Sequence, residues 1–207
     1  MTLKKRKRKR LTGPERRAQI VDVATALLAK KGFKGTTTRE IARKAGISEA
    51  VIFKHFSRKE DLYRAIIDLR CDDGLGRSRL KSVVEGKSGR EFFSEVAAFL
   101  INEHARDPTL MRLLTLSALE KQDMSEVFLK TRGLEFIEFI EDEIKGQIKK
   151  GLFRKVDARI AARAFLGMVF HYSMSQEIYG MKRYFSFSTK KVVETFVDIF
   201  FEGVIRR

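Results

Sequence analysis

Glu49, Ala50, Val51, Lys54 and His55 lie on a short segment whose own packing does not need them. Ile52 and Phe56, four residues apart, are enough to supply its inward helical face, so the other five point elsewhere. A short helix with a spare charged and methyl-bearing face is suited to the major groove of DNA, provided that a second helix holds it at the right angle. The elements that would do this are legible on either side. Thr37 and Glu40 have the spacing of a capping box, and Ile41, Ala42 and Ala45 form a small apolar face behind them. Gly46 can take the left-handed backbone that ends this helix, and Ile47 can plug the corner. Ser48 is a good N-cap for the next helix, with Glu49 favourably placed in its first turn. Residues 37–56 therefore read as a helix-turn-helix.

The charge is distributed to match. The chain has 207 residues and a formal net charge of +16. Residues 1–70 hold 20 Lys and Arg against 7 Asp and Glu, whereas the remainder is almost balanced at a net +3. A basic first third on a near-neutral body is the electrostatic footprint of a nucleic-acid-binding module joined to another kind of domain. Its extreme is the run Lys4, Lys5, Arg6, Lys7, Arg8, Lys9 and Arg10. Seven adjacent cations repel one another and bury nothing, so residues 1–13 are expected to form a disordered basic arm. Such an arm can neutralise phosphates or enter a minor groove. A localisation signal and a merely solvated tail are the competing readings.

Other classes are poorly supported. No stretch approaches 18 uninterrupted apolar residues, and no apolar run follows the N-terminal charges, so neither a membrane span nor a secretory signal is expected. The single cysteine, Cys71, rules out an intramolecular disulfide framework and suits a reducing, cytoplasmic setting. A redox role for it is the less favoured reading. No Cys/His spacing resembles a metal site, so no metal and no cofactor is expected. A glycine-rich phosphate loop, a nucleophile motif and a paired acid–base arrangement are all missing, which argues against an enzyme.

Helical periodicity runs through the rest. Thr12 and Glu15 suggest a capping box around Pro14, and Ile20, Val23, Ala24, Leu27 and Leu28 follow helical spacing up to Gly32. Ser57 and Glu60 suggest a further capping box, opening a fourth helix that carries Leu62, Ala65, Ile66 and Leu69. Glycines at 74, 76, 86 and 89 place a domain boundary within 71–89. Beyond it, helices are expected over 90–106, 110–119, 125–150, 157–179 and 188–206. The fold class is all-α, with a three-helix, homeodomain-like head and a larger helical C-terminal domain. Fourteen of the 17 phenylalanines lie beyond residue 70, which makes this domain an aromatic core, a ligand cavity, or both.

The last two helices carry more apolar surface than one packing contact usually needs. Phe165 and Met168 precede Val193, Phe196, Val197, Phe200, Phe201 and Val204 in two adjacent stripes. These eight residues are the expected dimer interface, formed as a four-helix contact across a two-fold axis. Burial of both helices within one subunit is the alternative.

Residues 14–70 resemble the DNA-binding domain of the TetR family of bacterial transcriptional regulators. The resemblance rests on the run ATALLAKKGFKGTTTREIARKAGISEAVIFKHFSRKEDLY. Its markers are the glycine after helix one, the Thr-Thr before helix two, Ile-Ala and Ala-Gly around the turn, Phe-x-His-Phe ending helix three and Lys-Glu-x-Leu opening helix four. Further on, GLFRKVDARIAARAFLGMVF matches only the general helical plan. The resemblance implies a homodimer that binds double-stranded operator DNA, usually as a repressor. Residues 71–207 would then bind a small-molecule effector and dimerise, with helix four moving when the effector is bound.

Carried over position by position, the pattern puts Arg39, Glu49, Ala50, Val51 and Lys54 at base edges. Thr38, Phe53, His55 and Lys59 fall at phosphates, and the caps Thr37 and Ser48 complete the DNA-facing set. Arg39 and Lys54 can donate to guanine O6 and N7, Glu49 can accept from cytosine N4, and Ala50 and Val51 can touch thymine methyls. Phe53 stands where the family usually has a tyrosine and lacks the hydroxyl for a phosphate contact. Candidates for the effector pocket are Phe99, His104, Leu113, Phe136, Phe139 and His171, with an apolar or aromatic ligand. The rival to a sequence-reading repressor is an architectural DNA binder driven by the basic arm without base choice.

Overall fold

Local signals set the helices of the head. The computed structural model describes residues 11–72 and 77–205, so the seven-cation arm and Gly74 and Gly76 lie outside the described residues. Thr12 caps α1 (Gly13–Lys31) in a reciprocal box with Glu15, as its spacing implies. Thr37 caps α2 (Thr38–Ala45) by accepting from the Glu40 amide. The Glu40 carboxylate does not close that box and pairs instead with Lys31 of α1. Gly46 ends α2 at φ 69° and ψ 39°, the left-handed conformation that glycine adopts at low cost. Ser48 stands at the N-cap of α3 (Glu49–His55), although its hydroxyl makes no capping bond.

The box expected from Ser57 and Glu60 is replaced one residue on. Asp61 Oδ2 accepts from the Arg58 amide at 3.0 Å, at the start of α4 (Lys59–Asp72). The shorter aspartate reaches back without the extra methylene that a glutamate must order.

Beyond the head come α5 (Arg77–Val84), α6 (Gly89–Arg106), α7 (Thr109–Leu119), α8 (Met124–Phe128), α9 (Leu134–Lys149), α10 (Ala158–Glu177) and α11 (Thr189–Val204). No strand occurs among the described residues, only an isolated bridge between Phe153 and Ile205. The single helix expected over 125–150 is divided by a π-helical turn at Leu129–Gly133. The Thr131 hydroxyl bonds back to the Val127 carbonyl at 2.8 Å within that turn, a competing bond of the kind that distorts helices. Helix α7 is also less buried than its composition implies, with Leu119 75% exposed at its end.

Two hydrophobic cores result. The lower one joins α1 to α4 through Ile20, Ala24, Leu28, Ile41, Ile52, Phe56 and Ile66, and it continues into Leu110 and Leu113 of α7 and Met124 of α8. The head and the body therefore share a core, although the sequence divides them at residue 70. The upper core packs α6, α9, α10 and α11 around Phe93, which has no exposed surface. Phe93 meets Phe165 at 4.8 Å, Phe200 at 5.0 Å and Phe201 at 5.7 Å between ring centroids. Such offset and edge-on pairs add about 0.5–1.5 kcal/mol each beyond simple burial.

Those contacts correct the expected dimer interface. Phe165, Val193, Val197, Phe200, Phe201 and Val204 are buried within their own subunit. The second stripe of α11 is covered by the turn before α10, where Phe153 meets Phe201 at 5.3 Å. Met168 and Phe196 are half-buried, and Phe196 packs edge-on against Tyr172 at 5.6 Å. One subunit thus uses both apolar stripes of its last helix.

Candidate nucleic-acid interface

Helix α3 is anchored by what it buries. Ile52 and Phe56 are each 2% exposed, and the Arg17 guanidinium of α1 lies 4.9 Å above the Phe56 ring. Gln19 of α1 donates to the Ala45 carbonyl at 3.2 Å and so secures the end of α2. With these contacts made, Ala50, Phe53 and Lys54 stand exposed on one side of α3, and Glu49, Val51 and His55 are half-buried at its edges. Phe53 is 53% exposed. Thr37, Arg39 and Ser48 are exposed at the adjoining ends of α2 and α3, and Lys59 is exposed at the first turn of α4. Of the residues expected to face DNA, Ala50, Phe53 and Lys54 share one exposed side of α3, and Thr38 and Arg39 are joined to that helix through Glu49.

Glu49 is bonded to two neighbours on α2. Its Oε2 accepts from the Thr38 hydroxyl at 2.8 Å, and its Oε1 meets Arg39 Nε at 3.2 Å. Both carboxylate oxygens are engaged across the α2–α3 corner. Arg39 keeps 88% of its side chain exposed while tethered through Nε, which leaves its terminal nitrogens outward. Thr38, read as a phosphate contact, likewise has its hydroxyl proton committed to Glu49.

The head is held to the body by polar contacts that the sequence does not reveal. Arg70 of α4 meets Asp107 at 2.6 Å, at the corner between α6 and α7. Asp68 of α4 accepts from Arg132 of the π turn at 3.0 Å. Glu120, just past α7, accepts from the Lys34 amide at 2.7 Å. That carboxylate also lies where a side chain on Gly32 would be, 2.2 Å from the ideal Cβ position, and Gly32 has φ 73°. The partners are 37, 64 and 86 residues apart, so no local pattern could announce them.

The six residues expected to line an effector pocket do not converge. Leu113 is fully buried in the core shared by head and body. His171 is exposed on the outer face of α10, because the inward positions of that turn are taken by Val169 and Ser173. Phe99 is half-buried beneath Arg79, whose guanidinium lies 5.6 Å from its ring. Phe136 packs against the upper core, and Phe139 borders an open groove of about 570 Å³ beside Phe92, Val84 and Lys81. Only His104 is a buried polar group: its ring lies 5.2 Å from that of Phe170, tilted by 43°, and burial pushes its imidazole down to about 4. Among the described residues no cluster of His, Cys, Asp and Glu could hold a metal ion, and no helix is long and apolar enough to cross a membrane.

Comparison with known proteins agrees with this geometry. Residues 20–66 match the pattern of bacterial regulatory proteins of the tetR family. Residues 90–203 match that of the C-terminal domain of AefR-like transcriptional repressors. The HTH-type transcriptional regulator YvkB of Bacillus subtilis is 26% identical over 187 residues, 90% of this chain and 95% of that protein. The transcriptional repressor KstR2 of Rhodococcus jostii is 28% identical over 152 residues, 72% of this chain and 73% of its own. The structure of AibR in complex with isovaleryl coenzyme A and operator DNA superposes with a TM-score of 0.67 at 23% identity, covering 90% of this chain and 98% of AibR. With the head and more than half of the chain matched in this way, the chain belongs to the TetR family of bacterial transcriptional regulators, DNA-binding proteins of helix-turn-helix type.

Proposed function

We propose that this chain is a homodimeric, cytoplasmic repressor that places α3 in the major groove of each half of a palindromic operator and leaves it when an apolar effector binds the body. The observation that carries the reading is the division of α3. Its buried face is locked into a core shared with α7 and α8, while Ala50, Phe53 and Lys54 are left exposed on its other side, next to the Glu49 that ties α3 to α2. Lys54, Val51 and the terminal nitrogens of Arg39 are assigned to base edges, and His55, Lys59 and the Phe53 ring to the sugar–phosphate backbone. Glu49 is reassigned from a base acceptor to the group that aims Arg39, supported by its two internal bonds. No catalytic step belongs to this reading.

A reader of two half-sites needs a dimer. The surface that supports one is the exposed side of the same two helices, around the axis from the expected stripes. On α10 it comprises Ile160, Ala164, Gly167 and His171, all exposed, and on α11 Thr195, Ile199 and Gly203. Ile160 is 68% and Ile199 57% exposed, and the small residues between them permit close helix approach. The connection between the two helices also leaves Tyr184 and Phe185 78% and 55% exposed. The AibR complex, with both operator DNA and an acyl-coenzyme A, supports the pairing of DNA and effector in one fold.

The test is selection of bound fragments from random double-stranded DNA, followed by affinity measurements at fixed salt. A palindromic consensus bound at least about 10³-fold more tightly than random DNA is expected. A ratio near one would leave an architectural binder driven by charge.

A further inference from the structure

Three buried polar atoms without a hydrogen-bond partner among the described residues are strung along one seam of the molecule. They are Arg70 Nε on α4, His104 Nδ1 on α6 and Ser173 Oγ on α10. Adjacency links them step by step. Arg70 is paired with Asp107, and His104 lies one helical turn before Asp107. The His104 ring meets the half-buried Phe170 ring at 5.2 Å and a tilt of 43°, and the buried Ser173 lies one turn beyond Phe170 on α10. One turn is about 5.4 Å along a helix, so each link is a short one.

Buried polar groups are almost always satisfied, and each exception calls for a reason. His104 and Ser173 are 3% and 2% exposed. Both have apolar neighbours: Leu100 and Ile101 are buried one turn before His104, and Val169 is buried one turn before Ser173. A core with no other task would be better filled by a leucine and an alanine, which leave nothing unpaired.

We propose that His104 and Ser173 are the polar anchor of the effector site, and that they take the neutral carbonyl oxygen of an acyl compound (a thioester, ester or ketone) with an aliphatic or aromatic body. The serine hydroxyl donates to one lone pair, and His104 in its Nδ1–H tautomer donates to the other. The seam has no net charge to offer an anion, because Arg70 is already balanced by Asp107 and the buried imidazole is neutral near pH 7. The position also explains how occupancy reaches DNA. A ligand held by His104 acts on the last turn of α6, next to the Asp107 that grips α4. This assignment rests on the ligand-responsive reading given above and adds to it the anchor and the chemistry of the ligand.

The experiment uses the full chain and two probes of equal acyl length, the neutral thioester decanoyl-N-acetylcysteamine and the anion decanoate. Calorimetric titration and thermal melting are run on the native protein, His104→Leu and Ser173→Ala. The native protein should bind the thioester, with decanoate at least about tenfold weaker. Each substitution should weaken thioester binding about tenfold, the equivalent of one hydrogen bond at about 1.4 kcal/mol. The unliganded melting temperature of each variant should stay level or rise, since an unpaired group has been removed. Equal binding of decanoate, unchanged binding in both variants, or no binding of either probe would overturn the proposal. A fall in the unliganded melting temperature of both variants would do so too, because the two side chains would then be structural. Operator selection is scored separately: a protein that picks a palindrome but ignores both probes loses this anchor and keeps its regulatory role.

Discussion

The head and the body treat polar chemistry in opposite ways. In the head, the buried positions of α2 and α3 are apolar and their polar groups are exposed or half-buried. In the body, ion pairs such as Lys87–Glu95 and Arg159–Glu141 lie at the surface, and the unsatisfied polar atoms of His104 and Ser173 are inside. The difference matches the two partners proposed. DNA is a large polyanion met from outside, so its contacts can wait in water at little cost. A small apolar molecule must be enclosed, so whatever fixes its orientation has to be buried before it arrives.

That contrast can be broken first at the dimer, where the largest effect is expected. Ile199→Asp puts a carboxylate into the proposed apolar contact between subunits, which should cost at least about 3 kcal/mol per subunit in dimerisation if the contact is dry. Sedimentation should then report monomers, with operator affinity abolished and the helical content retained. A dimer that persists would move the interface away from α10 and α11.

Next comes the buried imidazole. Burial lowers the folded His104 from 6.5 to about 4, so between those values the unfolded chain carries a proton that the folded chain refuses. The contribution is therefore complete above about pH 6.5 and is lost as pH falls toward 4, over a range worth about 3 kcal/mol at most. Melting curves across this window should flatten in His104→Leu relative to the native protein. Parallel curves would mean that His104 is not sealed off as the fold implies.

Lys54→Ala sharpens the head's side of the comparison. The affinity penalty should be about 1–3 kcal/mol and confined to particular operator positions, as expected of a base contact. A uniform penalty over all sequences would demote it to the backbone set. Glu49→Gln should have a smaller effect, with reduced preference at the position read by Arg39 and little change in stability, because exposed ion pairs contribute about 0–1 kcal/mol. The smallest effect on specificity should come from removing residues 1–10. That truncation should weaken binding to all DNA and reduce the log–log salt slope by about 0.9 for each phosphate that the arm no longer neutralises.

How far the sequence can be read follows the same divide. The helix-turn-helix is legible because its signals are local: Thr37, Gly46 and the Ile52–Phe56 pair lie within 20 residues, and each has one job in one short element. The pairing of Glu49 with Thr38 and Arg39 is not legible because its partners are on the neighbouring helix, and spacing within α3 says nothing of them. The apolar stripes of α11 are indeed two, but periodicity cannot say whether a stripe meets a second subunit or the chain's own Phe153 and Phe165. The same limit hides the clasps from α4 to the body, since Arg70 and Asp107, or Asp68 and Arg132, become neighbours only once the chain has turned back. His171 and His104 look alike in sequence, each a histidine among apolar residues. Only the packing of α6 against α10 puts one inside and the other out.

The most direct test of the account compares the native protein and Lys54→Ala in the same DNA selection at fixed salt. A palindromic consensus for the native protein, with relaxed preference at defined positions in the variant, is the predicted result. Two indistinguishable selections, or no consensus from either protein, would contradict the claim that α3 reads bases.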